Sequence, residues 1–173
     1  AMANLPEEER RKKFQAASSL PAFKLEELEI VPSGTTASAE VTYTAQVARF
    51  GSKAGRRIFV PANAVNPFTG VPPAVENRHH PVVSGAAYVE EDSIVILMPR
   101  GYKVESMPPE DFSLDSDYGQ YHLNVAVEPG KIILERRFER HTVSLPATEY
   151  YEWRSFLKEV AKADGIKIVL VKE

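Results

Sequence analysis

Apolar and polar residues alternate with a period of two in several short segments of the chain, which is typical of strands with one buried face. Residues 39–48 show this pattern most clearly. The apolar members on one face are Val41, Tyr43, Ala45 and Val47. Residues 56–60, Arg-Arg-Ile-Phe-Val, follow as a second segment, which Pro61 closes. Both segments are therefore predicted to be strands, and Pro32–Thr35 is predicted to be a turn before the first of them.

The densest β signal lies in residues 92–109. A β-branched run at 94–98 ends at Pro99, which donates no amide hydrogen to a ladder. Gly101 can adopt the positive φ of a tight turn, and residues 102–105 then alternate again, with Tyr102 and Val104 on one face. This order predicts a hairpin between 94–98 and 102–105.

A second hairpin is predicted further along the chain. Residues 120–128 and 131–140 alternate on either side of Pro129–Gly130. In the later strand, Leu134 and Phe138 share a face with Ile132 and Arg136, and this face is the expected core face. The acidic residues 110–119 between the two hairpins are expected to form a loop.

Two helices are predicted. Residues 6–18 begin with acidic and continue with basic side chains, which suits the helix dipole. Residues from Tyr150 onward repeat apolar side chains at spacings of three and four, and Asp164–Gly165 ends the pattern before a last strand at 166–171. The apolar stripe consists of Tyr150, Trp153, Phe156, Leu157 and Val160. The proline-rich segment 61–81 is expected to be a long irregular connection.

These elements predict a mainly β (α+β) fold, an antiparallel β-sandwich with one C-terminal helix packed against it and a short N-terminal helix. We expect residues 1–19 to be a helical segment that links to an upstream domain. Residues 20–173 are expected to form a single sandwich domain.

Composition narrows the function classes. The chain has 173 residues, 43% hydrophobic and 26% charged, with a net charge of -3. It therefore lacks the basic footprint of a nucleic-acid-binding protein. No apolar run reaches the roughly 20 residues that a membrane helix needs, so membrane insertion is not expected. The absence of cysteine excludes disulfides, thiolate metal sites and a cysteine nucleophile.

Two places in the sequence are candidate metal sites. His79 and His80 are adjacent, so in extended backbone their rings point to opposite sides, and a third ligand is not evident nearby. Asp115 and Asp117 offer the oxygen ligands that calcium prefers, without the full loop signature. Structural roles are favoured at both places, and neither a metal nor another cofactor is expected.

Catalytic and ligand-binding residues are equally sparse. Ser84 or Ser116 with His122 would be compatible with a serine triad, but no nucleophile-elbow motif is present. Tyr118 and Tyr121 are the candidates for an exposed ligand surface. Tyr150 and Trp153 are expected in the core because of their helical spacing. The expectation is a protein without catalytic residues.

Several stretches together resemble a known family. They are Leu97-Met-Pro-Arg-Gly-Tyr-Lys-Val-Glu-Ser-Met-Pro108, Asp117-Tyr-Gly-Gln-Tyr121, Glu135-Arg-Arg-Phe138 and Tyr150-Tyr-Glu-Trp-Arg-Ser-Phe156, preceded by Arg78-His-His-Pro-Val82. This wording is similar to a β-rich domain of unknown function that follows a transglutaminase-like domain in exported bacterial proteins. The resemblance covers roughly residues 20–173.

The resemblance implies a periplasmic or cell-surface protein with a transglutaminase-like, papain-like neighbour upstream. It transfers no catalytic residues, because none is established for the family. Two hypotheses remain: a noncatalytic accessory module that packs on or positions that neighbour, and an independent sandwich that binds a glycan or a cell-surface protein.

Overall fold

The computed structural model describes residues 5–18, 20–32, 39–48 and 50–173. It divides the chain into two compact units, residues 1–50 and 51–173. The division into residues 1–19 and 20–173 stays a prediction.

The first unit is a helix and a two-stranded antiparallel sheet. Its elements are α1 (Glu7–Ala17), β1 (Phe23–Pro32) and β2 (Ala39–Val47). The ring of Phe14 on α1 lies 4.7 Å from that of Tyr43 and 6.4 Å from that of Phe23, measured between centroids. The predicted helix and the strand at 39–48 are confirmed, and β1 is a strand that the charge-rich sequence did not predict. The turn predicted at Pro32–Thr35 falls mostly outside the described residues.

The second unit contains ten strands and one long helix. The strands are β3 (Ser52–Ala54), β4 (Arg57–Pro61), β5 (Val82–Val83), β6 (Tyr88–Leu97), β7 (Tyr102–Ser106), β8 (Asp111–Ser116), β9 (Gly119–Glu128), β10 (Lys131–Arg140), β11 (Ser144–Leu145) and β12 (Lys167–Lys172). A short 3-10 turn (Ala147–Glu149) leads into α2 (Tyr150–Asp164).

The strands form two larger antiparallel sheets, in the orders β6-β10-β9-β8 and β3-β4-β12-β7, and the small pair β11-β5. The predicted hairpin of β9 and β10 is confirmed, with Gly130 at a φ of 79° in its turn. Gly119 is required at the start of β9. Its φ is 150°, and a Cβ there would lie 2.2 Å from the carbonyl oxygen of Glu139.

The hairpin predicted between 94–98 and 102–105 is wrong. The turn forms, since the Tyr102 amide donates to the Pro99 carbonyl over 3.3 Å and Gly101 has a φ of 76°. However, β6 pairs with β10 and β7 pairs with β12, so the chain passes from one sheet to the other at this turn. A turn that contains proline and glycine reverses the direction of the chain. It does not determine whether the two flanking strands pair with each other or with distant strands.

The acidic loop predicted at 110–119 is also wrong, because most of it is the strand β8. Phe112 and Leu114 are half-buried against the core, and Asp111, Ser113 and Asp115 are exposed. The acidic residues occupy the solvent face of a strand that alternates with a period of two. Its pairing with β9 makes β8 the outer strand of the sheet.

One core joins the two sheets and the helix α2. Its fully buried side chains include Tyr121, Ile132, Phe138, Leu157 and Ile168. Tyr150, Trp153 and the rest of the predicted apolar stripe of α2 are buried, as the helical spacing predicted. The sandwich with a packed C-terminal helix is thereby confirmed. Within the described residues, the structure has no helix that is long and apolar enough to span a membrane.

The predicted connection at 61–81 is irregular and is fastened to α2. The Tyr151 hydroxyl donates to the Val75 carbonyl over 2.7 Å, and Arg154 Nε donates to the Pro72 carbonyl over 2.8 Å. The Tyr150 hydroxyl similarly donates to the carbonyl of Pro73. Side chains from the helix thus satisfy carbonyl groups that no strand ladder pairs.

Candidate functional site

The buried polar centre of the second unit is the guanidinium of Arg136, whose side chain is 1% exposed. The strand β10 places it there, because Arg136 lies between Leu134 and Phe138 on the face that points to the core. Its Nε donates to Oδ1 and its Nη2 donates to Oδ2 of Asp164, each over 2.9 Å. Asp164 lies at the end of α2. Such a two-point pair fixes the orientation of both groups.

Two carboxylates from β6 complete the surroundings of Arg136. Its Nη1 donates over 2.7 Å to Asp92 Oδ2, and Nη1 and Nη2 both lie 3.2 Å from Glu90 Oε2. The register explains the proximity, since Asp92 is directly opposite Arg136 across the ladder. Three carboxylates therefore surround one guanidinium, and negative charge is in excess.

Asp164 is fully partnered. Besides the two bonds from Arg136, its Oδ1 accepts the Tyr121 hydroxyl over 2.8 Å and its Oδ2 accepts the Phe68 amide over 2.8 Å. Both oxygens are thus occupied twice. A carboxylate held in this way joins the sheet, the helix and the irregular segment at one point, and it has no lone pair left for a substrate proton.

The pKa shifts of Tyr121 and Arg136 agree with a structural role for this cluster. Burial, followed by the negative charge of Asp164 and its hydrogen bond, raises the pKa of Tyr121 far above the ordinary value. Burial alone would lower the pKa of Arg136, but the hydrogen bonds and charges of Asp164 and Asp92 raise it overall. The guanidinium stays charged and the phenol stays neutral, so neither group is poised to exchange a proton at neutral pH.

A second polar cluster crosses the exposed face of the same sheet. The registers place Ser113, His122, Arg137 and Glu91 directly opposite one another on successive strands. Ser113 Oγ lies 3.0 Å from His122 Nδ1, and Asp111 Oδ1 lies 3.5 Å from the same nitrogen. A shallow cavity of about 220 Å³ lies beside Ser113, His122 and Arg137.

This second cluster does not have the geometry of a catalytic triad. In a triad, the nucleophile and the carboxylate contact different nitrogens of the histidine, whereas Ser113 and Asp111 here approach the same one. The neighbouring Arg137 hydrogen-bonds Glu139, and this bond is the main cause that holds the pKa of the Glu139 carboxyl below its usual range. The cluster is therefore a set of cross-strand polar pairs at the surface.

The candidate metal ligands are all exposed. His79 and His80 follow Arg78, whose Nε donates to the His80 carbonyl over 2.9 Å. Asp115 lies on β8, where its Oδ1 accepts from Gln120 over 3.3 Å, and Asp117 lies in the turn after β8. Among the residues that the structure describes, no three histidine, aspartate or glutamate side chains are grouped closely enough to hold a metal ion.

The two tyrosines of the expected ligand surface have different environments. Tyr118 is half-buried and its hydroxyl donates to Glu152 over 3.3 Å, so part of it faces solvent. Tyr121 is 1% exposed and belongs to the core, which corrects its placement on a surface. Neighbouring residues of a strand face opposite sides, so Tyr121 and His122 of β9 cannot both face solvent. This alternation was the sequence signal for the burial of Tyr121.

The two candidate serine nucleophiles satisfy backbone groups. Ser84 Oγ accepts the Val143 amide over 2.9 Å, and Ser116 Oγ accepts the Tyr118 amide over 3.2 Å. The hydroxyl that contacts His122 is that of Ser113, which the sequence did not indicate.

A family model matches residues 56–170, more than half of the chain. It describes a domain of unknown function for which a structure has been solved, DUF3858. The chain belongs to the DUF3858 family. The matched range begins just before β4 and ends within β12, so it contains the Arg136 cluster and nearly all of the second unit.

The fold of this DUF3858 chain is similar to part of a crystal structure from Parabacteroides distasonis ATCC 8503, a protein described as a "putative protease". The two share 16% sequence identity with a TM-score of 0.50. The match covers 59% of this chain and only 20% of the Parabacteroides chain, so the likeness concerns the fold of a minor part of that protein. The comparison with curated proteins gave no significant match.

Sequence reasoning missed the Arg136 cluster. The alternation of β10 had already placed Arg136 on the core face, and an arginine there requires buried partners. Asp164 was interpreted only as a helix end. Its burial beside the strand is a tertiary contact that no local pattern reports.

Proposed function

We propose that this DUF3858 chain is a noncatalytic accessory module, which packs on or positions a transglutaminase-like catalytic domain of a longer exported bacterial protein. The observation that carries the proposal is the structural match to a fifth of a longer chain described as a "putative protease". A module of this fold with a catalytic neighbour is also what the sequence resemblance implies. In this proposal the protein works in the periplasm or at the cell surface.

The chemistry of the polar clusters supports a noncatalytic role. The buried carboxylate of Asp164 is saturated by hydrogen bonds, and the exposed His122 is paired through a single nitrogen with both of its neighbours. Function resides in such sites rather than in the fold. Neither cluster has the nucleophile, base and orienting group in the order that acyl transfer requires.

The alternative is an independent module that binds a glycan through aromatic side chains. Burial of Tyr121 removes one of its two candidate aromatic residues from the surface. Binding to a protein does not distinguish the accessory module from an independent binding module, because an accessory module also acts through a protein contact.

The test compares the longer protein with and without residues 51–173. A tethered neighbour has an effective concentration on the order of millimolar, so even a weak contact is occupied in the intact protein. We expect removal of the module to lower the melting temperature of the catalytic domain or to change its turnover rate. Adding the isolated chain at high concentration should shift NMR signals of the catalytic domain.

The proposal is wrong if the catalytic domain keeps its melting temperature and its rate, and shows no shifts with the isolated chain. Its noncatalytic part is tested separately with the isolated chain on peptide and ester substrates. Turnover that disappears in Ser113→Ala or His122→Ala, while the melting temperature stays unchanged, would show an activity of the surface cluster.

A further inference from the structure

The strand β6 is the longest outer strand of the two larger sheets. It runs for ten residues in unbroken register with β10, and among the described residues it pairs with that strand alone. The other outer strands are shorter: three residues in β3, five in β7 and six in β8. The pairing of β7 is also interrupted by a register shift. A long, regular edge presents a row of backbone groups that can pair with another strand.

Exposed apolar side chains accompany this edge. On the outer face of β6, Val89 is 51%, Val95 56% and Leu97 76% exposed. Val95 lies directly opposite the partly exposed Ile133 of β10, so the apolar surface continues onto the next strand. Alternate side chains of an added strand would meet these residues and bury them.

The inner face of the same edge is acidic. Arg136 contacts Glu90 through Oε2 and Asp92 through Oδ2, and these side chains remain 31% and 18% exposed. Because Asp164 already neutralises the guanidinium, the two carboxylates of β6 leave negative charge at the edge. A residue opposite Glu90 or Asp92 on an added strand would have its Cβ within about 4.5–5.5 Å.

We propose that the edge of β6 binds an extended peptide segment of a partner protein as an additional antiparallel strand. The segment has Lys or Arg side chains facing Glu90 and Asp92, and apolar side chains beside Val95 and Leu97. This inference does not rest on the accessory role. It concerns the chemistry of one strand and of the segment that pairs with it, whichever protein supplies that segment.

Charge complementarity selects this occupant. An acidic inward residue would be repelled by Glu90 and Asp92, and an apolar one would leave the excess negative charge around Arg136 without a further counter-charge, so both are unfavourable. A second copy of β6 in antiparallel pairing centred on Asp92 would place that carboxylate directly opposite the same residue of the other copy. Like charges across a ladder destabilise it, so self-pairing in this register is disfavoured.

The primary test uses two synthetic peptides and the full chain with 15N-labelled amides. Both peptides alternate Val and Thr, and they differ only at the two inward positions opposite Glu90 and Asp92, which are Lys in one and Glu in the other. We expect the Lys peptide to shift amides of β6 and β10, with a Kd at least tenfold lower than that of the Glu peptide. The difference should shrink in high salt.

Protein variants localise the contact. Glu90→Gln and Leu97→Lys are expected to weaken binding of the Lys peptide severalfold. Asp115→Asn on the opposite outer strand β8 removes a charge of the same sign and is expected to change nothing. A Lys peptide with N-methyl groups on the amides that pair with β6 should not bind, since backbone hydrogen bonds form the added ladder.

Joining the peptide covalently to the protein ensures that a negative result is not caused by weak affinity. The Glu173 amide donates to the Gly101 carbonyl over 2.9 Å, so residue 173 lies beside the turn that follows β6. A Lys peptide joined after Glu173 by a flexible linker reaches an effective concentration on the order of millimolar. It should slow hydrogen exchange of β6 amides, and a tethered Glu peptide should not.

Three results would overturn the proposal. The tethered Lys peptide leaves exchange in β6 unchanged, or the Lys and Glu peptides bind equally, or Asp115→Asn weakens binding as much as Glu90→Gln. Concentration-dependent dimers in sedimentation that Leu97→Lys abolishes would assign the edge to a second copy instead. None of these results depends on whether the module assists a catalytic domain.

Discussion

Arg136 and Asp164 form a two-point ion pair, with Nε to Oδ1 and Nη2 to Oδ2 both at 2.9 Å. The pair joins the middle of β10 to the last residue of α2. Its two partners are 28 residues apart in sequence, and each is almost entirely buried. A buried polar contact therefore joins the helix to the sheet alongside the apolar packing of α2.

Removing one partner of this pair should be strongly destabilising. We expect Arg136→Met to lower the free energy of unfolding by about 3–5 kcal/mol, because Asp164 would stay buried without its counter-charge. Urea denaturation followed by tryptophan fluorescence measures the change. The matched control is Arg137→Met on the exposed face of the same strand, which should move the midpoint much less. Equal midpoints for the two variants would contradict a dominant role for the buried pair.

Trp153 is expected to be a core residue with a large contribution to stability. Its side chain is 6% exposed between Tyr150 and the guanidinium of Arg140, so Trp153→Ala should cost about 3–5 kcal/mol by leaving a cavity. Because no described residue accepts a hydrogen bond from its buried indole Nε1, Trp153→Phe should cost clearly less. Urea midpoints followed by circular dichroism compare both variants with Tyr151→Ala, an exposed neighbour. A small loss in Trp153→Ala, below about 1 kcal/mol, would place the ring at the surface.

Stability at alkaline pH should depend on Tyr121. Its pKa is raised in the folded state by burial and by Asp164, so folding favours the protonated phenol. The resulting stabilisation is complete below the unfolded pKa of about 10 and is lost as the pH rises above it. We expect the urea midpoint to fall more steeply above about pH 10 in the natural chain than in Tyr121→Phe. Tyr118→Phe, which removes a half-buried phenol, is measured for comparison. If the urea midpoint falls with pH at the same slope in the natural chain and in Tyr121→Phe, Tyr121 is not the group responsible.

Metal removal is expected to leave stability unchanged. A metal that binds only the folded state raises the melting temperature by mass action, so chelation of such a metal would lower it. Calorimetry with and without chelator, and after addition of zinc or calcium, measures this directly. A rise with zinc that disappears in His79→Ala/His80→Ala would establish a site there, as would a rise with calcium that disappears in Asp115→Asn/Asp117→Asn.

Residue spacing and turn residues were enough to predict several local elements of this protein. The period of two gave β2, β9 and β10, the spacing of Tyr150, Trp153 and Leu157 gave α2, and Pro129–Gly130 gave a true hairpin. These features depend on neighbours in sequence, so a single chain carries the whole signal. The fold class followed from their order.

The strand partners and the buried charges, by contrast, became evident from the packing of distant segments. The turn at Pro99–Gly101 has the same local signal as that at Pro129–Gly130, yet it separates two sheets, because β6 finds its ladder on β10 and β7 on β12. Likewise, Arg136 and Asp164 meet only once β10 and α2 are packed. Strand partners and buried ion pairs depend on residues far apart in the chain, whereas the local pattern reports only which face each residue occupies.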